Sequence, residues 1–437
     1  MSAGTNTNTA QATVSAVALA RALARHEAVA RTKTIDAGLT SLALVEGVGL
    51  DLRTAAPGRE ASTRLVDEYG EGSAGCMINA KLLRVVAEKL PKDAAARLSL
   101  VSGHLGGRLV VQTSARRVEV ATLPAERAPA AIAVESGAWA SVRADRLRWA
   151  LGAAARFADE GRGITVALVG GSIYTAATNG HAVMLARGGV QAGSAGASWA
   201  FRLSLVSAQE WEKLLGSDKA TDAQLQVLGS GSVFGSNVRA RDTWDDLSVP
   251  ALGHTAALRV GAVTLSERCT TDPAGDLVAL VRRHFGPVPE PVLAGEATTL
   301  RVAPERLVAA LKAVAVTTED TKDFAPMLTA RATDVAFELT TEVDAAVQGS
   351  TEERVEGLVT IGAPGAQGIA QDTAVANTRY LLAAAEVAVA HKGPDDVDLG
   401  FRCCPKGSGV GSAWFLRPTG HTLETAPWFA LVMGAVR

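Results

Sequence analysis

The chain contains few aromatic residues, few cysteines and little net charge, and each of these shortages excludes some classes of protein. Aromatic residues make up 4% of its 437 residues, and only four residues are cysteines. Such sparse thiols, without C-x-x-C spacing, predict reduced cysteines and no disulfide framework. No apolar run reaches the roughly 18 to 20 residues that span a bilayer, so we expect no membrane partner. The net charge of −2 disfavours a globally basic nucleic-acid-binding module but permits charges to segregate locally.

Sequence motifs of catalysis are missing as well. There is no G-x-S-x-G nucleophile elbow, and His181 has no H-E-x-x-H context. The glycine-rich stretch 229–235 lacks the Lys-Ser/Thr of a phosphate loop and opens no periodic helix. An enzyme is therefore an alternative that rests on no motif, and we predict no catalytic residue and no metal. The first twelve residues are rich in Thr, Asn and Ala, and we expect a disordered lead-in there, not a signal peptide.

What the chain does have is a pattern that recurs six times. A β-type stretch leads into a helix-type stretch with apolar residues at i, i+3, i+4 and i+7. The first two steps are 64 residues each, from Val14 to Ile78 to Val142, whereas the step from Leu203 to Val302 is 99 residues. A fixed period indicates one structural unit used repeatedly. The copies are 14–29, 78–90, 142–157, 203–215, 302–314 and 375–389.

Six half-domains grouped in pairs predict three similar domains. Periodicity stops and Pro-containing sequence appears at 124–137 and 287–298, so we place the domains at 1–133, 134–294 and 295–437. The central domain has excess sequence near 236–254 and 270–283, which we expect to form surface insertions. Predicted strands are 41–51, 98–101, 108–113, 164–168, 172–176, 225–228, 335–340 and 413–416. The predicted fold class is α+β, with two helices on antiparallel sheet in each domain.

Basic residues lie outside the apolar stripes of the predicted helices. The stripe of the second helix comprises Leu82, Leu83, Val86 and Leu90. Outward positions hold Arg21 and Arg25 in the first helix, and Arg148, Arg156, Lys213, Lys312 and Arg379 in the later ones. Two interpretations are open. These residues form ordinary solvated faces, or the faces converge on one axis and attract phosphates without reading bases.

Three passages resemble the bacterial DNA polymerase III β subunit, the replicative sliding clamp. Residues 76–91 and 118–129 (CMINAKLLRVVAEKLP, VEVATLPAERAP) are similar to the family's first-domain helix and the strand before its T-L-P-A-E turn. Residues 173–186 (IYTAATNGHAVMLA) are similar to its A-T-D-G-H-R-L-A signature. Residues 377–382 (NTRYLL) and 431–437 (LVMGAVR) are similar to N-x-R-Y-L-L and the V-M-P-M-R-L ending. The passages occur in the family's order and touch all three predicted domains.

The resemblance implies three DNA-clamp domains and a head-to-tail homodimer, in which domain 1 of one subunit meets domain 3 of the other. Twelve helices would then line a hole that holds duplex DNA irrespective of its sequence. The implied function is that of a non-catalytic processivity factor of the DNA polymerase III holoenzyme, with no cofactor. Implied partners are duplex DNA, the DNA polymerase III alpha subunit, the clamp loader and other proteins with clamp-binding motifs. The implied location is the cytoplasm, on the nucleoid.

The resemblance also implies particular residues. Arg31 and Lys33 align with a basic loop that touches DNA, and Lys81 with a basic residue that starts the second helix. The predicted DNA-binding set is Arg21, Arg25, Arg31, Lys33, Lys81, Arg148, Arg156, Lys213, Lys312 and Arg379. The predicted hydrophobic pocket for partner peptides is Thr178, Gly180, His181, Val183, Pro287, Val292, Phe324, Leu431, Val432 and Met433. The predicted dimer seam pairs Val118 and Val120, on an edge strand, with the region of Ala315 and Val316 in the other subunit.

The chain departs from the family's pattern within the predicted pocket. Asn179 stands where the family has Asp, Ala182 where it has Arg, and a pocket leucine is replaced near Gly161. Gly434 replaces a proline, which we expect to free the backbone. These changes predict an altered preference for partner motifs and indicate a divergent or accessory clamp. The alternative is a clamp-fold scaffold that gathers partners without sliding on DNA, although every predicted helix keeps a Lys or Arg.

Overall fold

The structure is a computed structural model that describes residues 8–30, 39–56, 58–66, 71–103, 106–127, 132, 139–169, 172–189, 199–216, 221–228, 255–269, 297–315, 327–342, 350–362, 372–391, 396–403, 412–421 and 426–434. Contacts divide the chain into two compact units. Unit 1 comprises Met1–Ser141, Lys213–Ser230 and Gly253–Cys269. Unit 2 comprises Val142–Glu212, Gly231–Leu252 and Thr270–Arg437.

All six predicted copies of the repeat contain a strand that runs into a helix. The six pairs are β1 (Asn8–Ser15) with α1 (Ala16–Ala30), β5 (Ala74–Asn79) with α2 (Ala80–Glu88), β9 (Ala140–Arg143) with α3 (Ala144–Ala155), β13 (Trp199–Leu203) with α4 (Leu205–Leu215), β17 (Thr298–Val302) with α5 (Pro304–Ala315), and β22 (Thr373–Asn377) with α6 (Thr378–His391). Each helix begins two or three residues after the start of its predicted copy. The strand-to-helix repeat is therefore confirmed.

The other strands complete the sheets. In chain order they are β2 (Leu39–Val45), β3 (Gly49–Ala56), β4 (Arg59–Val66), β6 (Ala95–Gly103), β7 (Gly106–Gln112), β8 (Arg117–Pro124), β10 (Ile164–Val169), β11 (Ser172–Thr178), β12 (Ala182–Gly189), β14 (Asp222–Leu228), β15 (Thr255–Val260), β16 (Val263–Arg268), β18 (Met327–Ala332), β19 (Ala336–Glu342), β20 (Ser350–Glu356), β21 (Leu358–Thr360), β23 (Val397–Cys403), β24 (Ser412–Pro418) and β25 (Trp428–Gly434). A 3₁₀ turn spans Ala125–Arg127.

Short polar side chains cap three of the helices where the preceding strands end. The Oδ1 atom of Asn79 accepts a hydrogen bond from the Leu82 amide at 3.0 Å, and the Oδ1 atom of Asn377 accepts one from the Arg379 amide at 3.0 Å. Ser204 serves α4 in the same way. Asn and Ser side chains satisfy amides that the first helical turn leaves without partners. The fifth helix begins instead at Pro304, whose fixed φ suits the first helical position.

In unit 1 the sheet is long and antiparallel. Its strand order is β1-β6-β7-β8-β5-β2-β3-β4-β16-β15-β14-β9, and the boundary between the units falls within β9. The first strand corrects one prediction, because residues 8–12 are paired with β6 and do not form a disordered lead-in. Buried Ala10 and Ala12 alternate there with polar neighbours. Apolar alternation does not mark this strand in the sequence, because alanine is a weak strand former. Residues 1–7 lie outside the described part.

The core of unit 1 lies between that sheet and two helices. Leu19 and Leu23 of α1 and Leu83 of α2 are fully buried, and they join one apolar cluster with leucines of β2, β3, β6 and β7. The predicted stripe of α2 was partly wrong, because Leu82 is 48% exposed. Ala80 and Ala87 occupy the buried face beside Leu83. The buried face of α2 is therefore narrower than the predicted apolar stripe. Its alanines have small side chains, which allow the helix to pack close to the sheet.

Unit 2 contains two antiparallel sheets. One has the order β13-β10-β11-β12-β25-β24-β23-β17-β21, and the other has the order β20-β19-β18-β22. Within the first, β12 pairs with β25, so Val183 faces Leu431 across the two strands. The few aromatic residues are concentrated in this core, where Phe401 packs against Phe337 at 5.6 Å and Trp414 at 4.8 Å between ring centroids. The fold class predicted from the sequence, helices on antiparallel sheets, is confirmed.

Most strand predictions agree with the structure, and one needs correction. The stretch 41–51 is not one strand but the hairpin of β2 and β3, which turns at Gly47 with a φ of 69°. The insertions near 236–254 and 270–283 and the glycine-rich stretch 229–235 lie outside the described residues. The domain limits at 133 and 294 stay a prediction, since β4 pairs with β16, and β12 with β25, across the predicted limits.

Candidate functional site

The predicted DNA-binding residues are mostly solvent-exposed on helices. Arg31 and Lys33 lie outside the described residues. Of the others, Arg25 is half-buried and the rest are exposed: Arg21, Lys81, Arg148, Arg156, Lys213, Lys312 and Arg379. In unit 1 an Nη atom of Arg25 donates to the carbonyl oxygen of Lys213 at 3.1 Å, which brings the ends of α1 and α4 together.

Acidic residues already hold some of these cations. In unit 2 the Glu386 carboxylate of α6 forms ion pairs with Arg156, at the end of α3, and with Lys312 of α5. Burial would raise the pKa of Glu386, but hydrogen bonds from Arg156 and Lys312 outweigh it and hold the pKa below its usual value. Two predicted phosphate contacts thus converge on one carboxylate. No local sequence pattern indicates this pairing, because Glu386 lies 230 residues from Arg156.

Three helices of unit 2 enclose a groove of about 850 Å³, which we call the α3–α6 groove. It is lined by Asp145, Arg146, Arg148, Trp149, Gly152, Ala153, Ala155 and Arg156 of α3 and its C-terminal end, Gln209 and Glu212 of α4, and Val387, Ala390 and His391 of α6. The His391 ring meets the Trp149 ring edge to face, with centroids 4.7 Å apart. Asp145 binds Arg143 through both carboxylate oxygens, and hydrogen bonding from Arg143 lowers the pKa of Asp145. The groove therefore combines aromatic rings with surplus positive charge.

The predicted peptide pocket centres on the turn between β11 and β12. The Thr178 hydroxyl donates to the Ala182 carbonyl at 2.8 Å and accepts from the Gly180 amide at 3.0 Å. The Asn179 side chain accepts from the amides of His181 and Ala182. An amide oxygen serves this turn as a carboxylate would, so Asn179 keeps the geometry expected of Asp and removes a charge.

The predicted pocket residues differ in their accessibility. Thr178, Val183, Leu431 and Val432 are buried, whereas His181 is exposed and Met433 is half-buried. The Met433 amide donates to the His181 carbonyl at 2.8 Å, which holds the turn against β25. Pro287, Val292 and Phe324 lie outside the described residues. The surface that a peptide would meet on the described part is thus His181, Met433 and their neighbours.

Two of those neighbours were missed in the sequence. The Tyr380 ring of α6 stacks on the His181 ring with centroids 6.2 Å apart and an interplanar angle of 13°. Arg162 packs over Gly180, where an added Cβ would lie 2.8 Å from a guanidinium nitrogen. The end of the exposed Arg162 side chain can move aside, so it is the φ of 90° at Gly180 that favours a glycine there. Arg162 supplies a positive charge beside the turn, which it shares with the Asp159 carboxylate at 3.7 Å, whereas Ala182 replaces the expected arginine and is itself buried.

Gly434 has a different role from the one expected. A Cβ at this position would lie 2.0 Å from the Ser412 hydroxyl oxygen and 2.1 Å from the Val375 carbonyl oxygen. The glycine is required because β25 approaches these atoms closely. The expectation that it frees the backbone missed this steric cause, which depends on residues remote in sequence.

The predicted dimer seam has one open strand edge. β8 pairs with β7 from Arg117 to Thr122, and with β5 only at Leu123 and Pro124. Val118 is half-buried, but Val120 is 5% exposed and belongs to the core cluster. Ala315 ends helix α5, so it offers a helix end and not a strand, and Val316 lies outside the described residues. Among the described strands of unit 2, β20 ends the four-stranded sheet and offers an edge.

Solved structures share this architecture over 98% of the chain. A DNA polymerase sliding clamp from Bacillus subtilis is 10% identical with a TM-score of 0.74, and the match covers 98% of this chain and 100% of that one. A DnaN sliding clamp (DNA polymerase III subunit beta) from Pseudomonas aeruginosa, bound to griselimycin, is 16% identical with a TM-score of 0.72 and the same coverage. The DNA polymerase III beta subunit from Thermotoga maritima is 15% identical with a TM-score of 0.70, covering 98% and 99%.

These similarities define the class of fold. The chain has the DNA sliding-clamp fold, and the resemblance noted in its sequence is confirmed at that level. The structures it resembles are bacterial DNA polymerase III beta subunits, at an identity that fits a divergent relative. No protein-family model and no curated protein matches the sequence. No helix in the described ranges is long and apolar enough to cross a membrane.

Proposed function

We propose that the protein is a DNA sliding clamp: a non-catalytic ring of two subunits that encircles duplex DNA and tethers a replicative polymerase. The observation that carries the proposal is the sliding-clamp fold over 98% of the chain. The exposed basic residues on all six described helices support it. Guanidinium and ammonium groups on helices can follow phosphates without reading bases, which is what movement along DNA requires.

Ring closure in this proposal joins two open strand edges. The unpaired side of β8, from Arg117 to Thr122, would meet β20 of the other subunit in a head-to-tail contact. Edge strands expose backbone amides and carbonyls without partners, which can pair with other chains and cause aggregation. Pairing of the two edges with each other satisfies these groups. A head-to-tail contact of this kind repeats from subunit to subunit until the ring closes. Two subunits close it if the contact relates them by a rotation of half a turn. The regions of Val118 and Ala315 remain within the proposed seam.

Partner binding in this proposal uses the turn around Gly180. His181, Tyr380 and Met433 offer apolar and aromatic surface for a leucine or phenylalanine of a short peptide, at about 25 cal/mol per Å² buried. Arg162 offers a charge for an acidic side chain or terminal carboxylate. The proposed partners are the polymerase alpha subunit, a clamp loader and other proteins with clamp-binding motifs, which places the protein in the cytoplasm on the nucleoid.

The state of association tests the proposal without any partner protein. We expect a dimer by sedimentation equilibrium for the wild-type chain. Ala121 is exposed on β8, so Ala121→Asp should leave the core intact and shift the protein towards monomer. Ala95 is exposed on β6, which pairs with both β1 and β7, and Ala95→Asp is the matched control that should stay dimeric. A wild-type monomer, or equal behaviour of both variants, would contradict the proposed seam.

A scaffold that gathers partners without sliding stays the second candidate. One observation favours it: the single Glu386 carboxylate pairs with both Arg156 and Lys312, two of the predicted phosphate contacts, and so reduces the positive charge there. A scaffold would bind partner peptides as a clamp does but would show no topological hold on circular DNA.

A further inference from the structure

We propose that the α3–α6 groove is a binding site for unpaired nucleotides, in which a base packs on Trp149 and His391 and its phosphates contact Arg146 and Arg148. This inference rests on the proposed function for the identity of the ligand as DNA. The site lies among helices α3, α4 and α6 and would bind bases, whereas binding of duplex DNA requires only contacts with phosphates.

Charge is the first argument for this ligand. Arg146 and Arg148 are exposed in the groove, and within the described ranges neither forms an ion pair. The acidic residue of the same turn, Asp145, is already occupied by Arg143 at 2.8 and 3.1 Å. The groove thus presents two guanidinium groups to solvent, with Glu212 of α4 as its other carboxylate, and guanidinium groups are suited to bidentate contacts with phosphate.

The aromatic rings are the second argument. A cluster of arginines alone would serve duplex DNA, whose bases are stacked within the helix and present no face to a protein side chain. Trp149 is half-buried in the wall of the groove, and His391 meets it edge to face at 4.7 Å. Aromatic side chains beside basic ones are the arrangement that binds single strands, since every unpaired base has a face to stack and none is preferred by hydrogen bonding.

The indole group is the third argument. The Nε1 atom of Trp149 is buried and has no hydrogen-bond partner in the described structure. A buried indole N–H normally finds a partner, so a shift of the Trp149 side chain that brings Nε1 to a ligand oxygen would remove an unfavourable burial. A groove of about 850 Å³ is also large enough for one or two nucleotides, by comparison with the usual range of ligand pockets, roughly 300 to 1,000 Å³.

Binding of labelled oligonucleotides tests the assignment. Fluorescence anisotropy would compare a fluorescein-labelled dT10 with a blunt duplex of the same length at fixed salt. We expect Trp149→Leu to weaken dT10 binding at least fivefold while duplex binding changes less than twofold, since a base stack is lost and phosphate contacts remain. Trp149→Phe, which keeps an aromatic face, should restore most of the dT10 affinity. Trp139→Leu, in unit 1, is the matched control and should change neither.

A crosslink to the wild-type protein keeps the test independent of how the variants fold. A dT10 with one 5-iodouracil, irradiated on the protein, should give a peptide crosslinked at Trp149 or His391 by mass spectrometry. Crosslinks confined to the region of His181 and Tyr380, or an equal loss of dT10 and duplex binding in Trp149→Leu, would overturn the proposal. Failure of the ring proposal is separate, because it appears as loss of dimer and of retention on circular DNA, neither of which these assays measure.

Discussion

The Nζ atom of Lys312 in α5 lies 3.3 Å from a carboxylate oxygen of Glu386 in α6, and the same carboxylate also pairs with Arg156. The three side chains come from three helices of unit 2. Both cations belong to the predicted DNA-binding set. Under the proposed function, a DNA phosphate that contacts them would have to compete with the Glu386 carboxylate.

Glu386→Gln should strengthen nonspecific DNA binding and steepen its salt dependence. Release of two cations for phosphate contact would increase the slope of log K against log salt by up to about 1.8, at roughly 0.9 per contact. Titrating labelled duplex DNA at several salt concentrations measures that slope. Glu88→Gln is the matched control, because Arg84 would still bind Glu27 at 2.7 Å and no cation would be released. Equal slopes for wild type and Glu386→Gln would show that Arg156 and Lys312 do not reach DNA.

Two neighbouring leucines of α2 should differ sharply in their contribution to stability. Leu83 is fully buried in the core of unit 1, so Leu83→Ala should lower the free energy of unfolding by about 2 to 5 kcal/mol. Leu82 is 48% exposed, and Leu82→Ala should cost less than about 1 kcal/mol. Urea denaturation followed by circular dichroism measures both. A comparable loss in the two variants would mean that α2 is rotated relative to the arrangement described above.

A buried histidine should make unit 1 sensitive to acid. His26 is fully buried, and its ring nitrogens lie 2.8 Å from the Thr54 hydroxyl and 3.0 Å from the Thr63 hydroxyl. Burial lowers its pKa from 6.5 to about 3. The unfolded chain therefore binds a proton that the folded chain does not, and the stability contributed by neutral His26 is lost progressively as the pH falls below 6.5.

The expected size of this effect at pH 5 is about 2 kcal/mol, at about 1.36 kcal/mol per pH unit. Urea denaturation at pH 7.5 and pH 5 should show wild type losing about that much more stability than His26→Gln, whose side chain does not titrate. Because other groups titrate equally in both proteins, the difference isolates His26. Parallel losses in the two proteins would mean that His26 is not held neutral by the fold.

Adding one methyl group at Gly434 should disrupt the contact of β25 with its neighbours. The new Cβ would fall 2.0 Å from the Ser412 hydroxyl oxygen and 2.1 Å from the Val375 carbonyl oxygen, so strands must separate. We expect Gly434→Ala to destabilise the protein by about 1 to 3 kcal/mol. Gly75→Ala is the matched control within a strand, since its Cβ would approach nothing closer than 3.5 Å. The midpoint of thermal unfolding compares the two.

The repeated strand-to-helix unit was predictable because its causes are local. Apolar spacing marks each helix, and short polar residues such as Asn79 and Asn377 fix where two of the helices begin. The strand β1 was missed because Ala10 and Ala12 carry the alternation with side chains too small to mark a strand. Small side chains also explain the error in α2. The predicted apolar stripe included Leu82, which is exposed, whereas Ala80 and Ala87 lie on the buried face.

The candidate site was less predictable, because its decisive contacts join residues far apart in the chain. The turn at Thr178 to Ala182 could be found as a motif, since its hydrogen bonds lie within four residues. The packing of Arg162 on Gly180, the stack of Tyr380 on His181 and the pairing of Glu386 with Arg156 all require the tertiary fold. No periodicity or spacing in the sequence encodes those neighbours.

Retention on circular DNA would show whether the protein forms a closed ring around the duplex. The protein, loaded by the clamp loader of its own source, would be held on nicked circular DNA, and salt would then be raised before gel filtration. We expect retention on circles at salt that removes free protein, and loss once the same DNA is linearised, because a ring slides off an end. Equal loss from circular and linear DNA would contradict a closed ring and favour the partner-gathering scaffold.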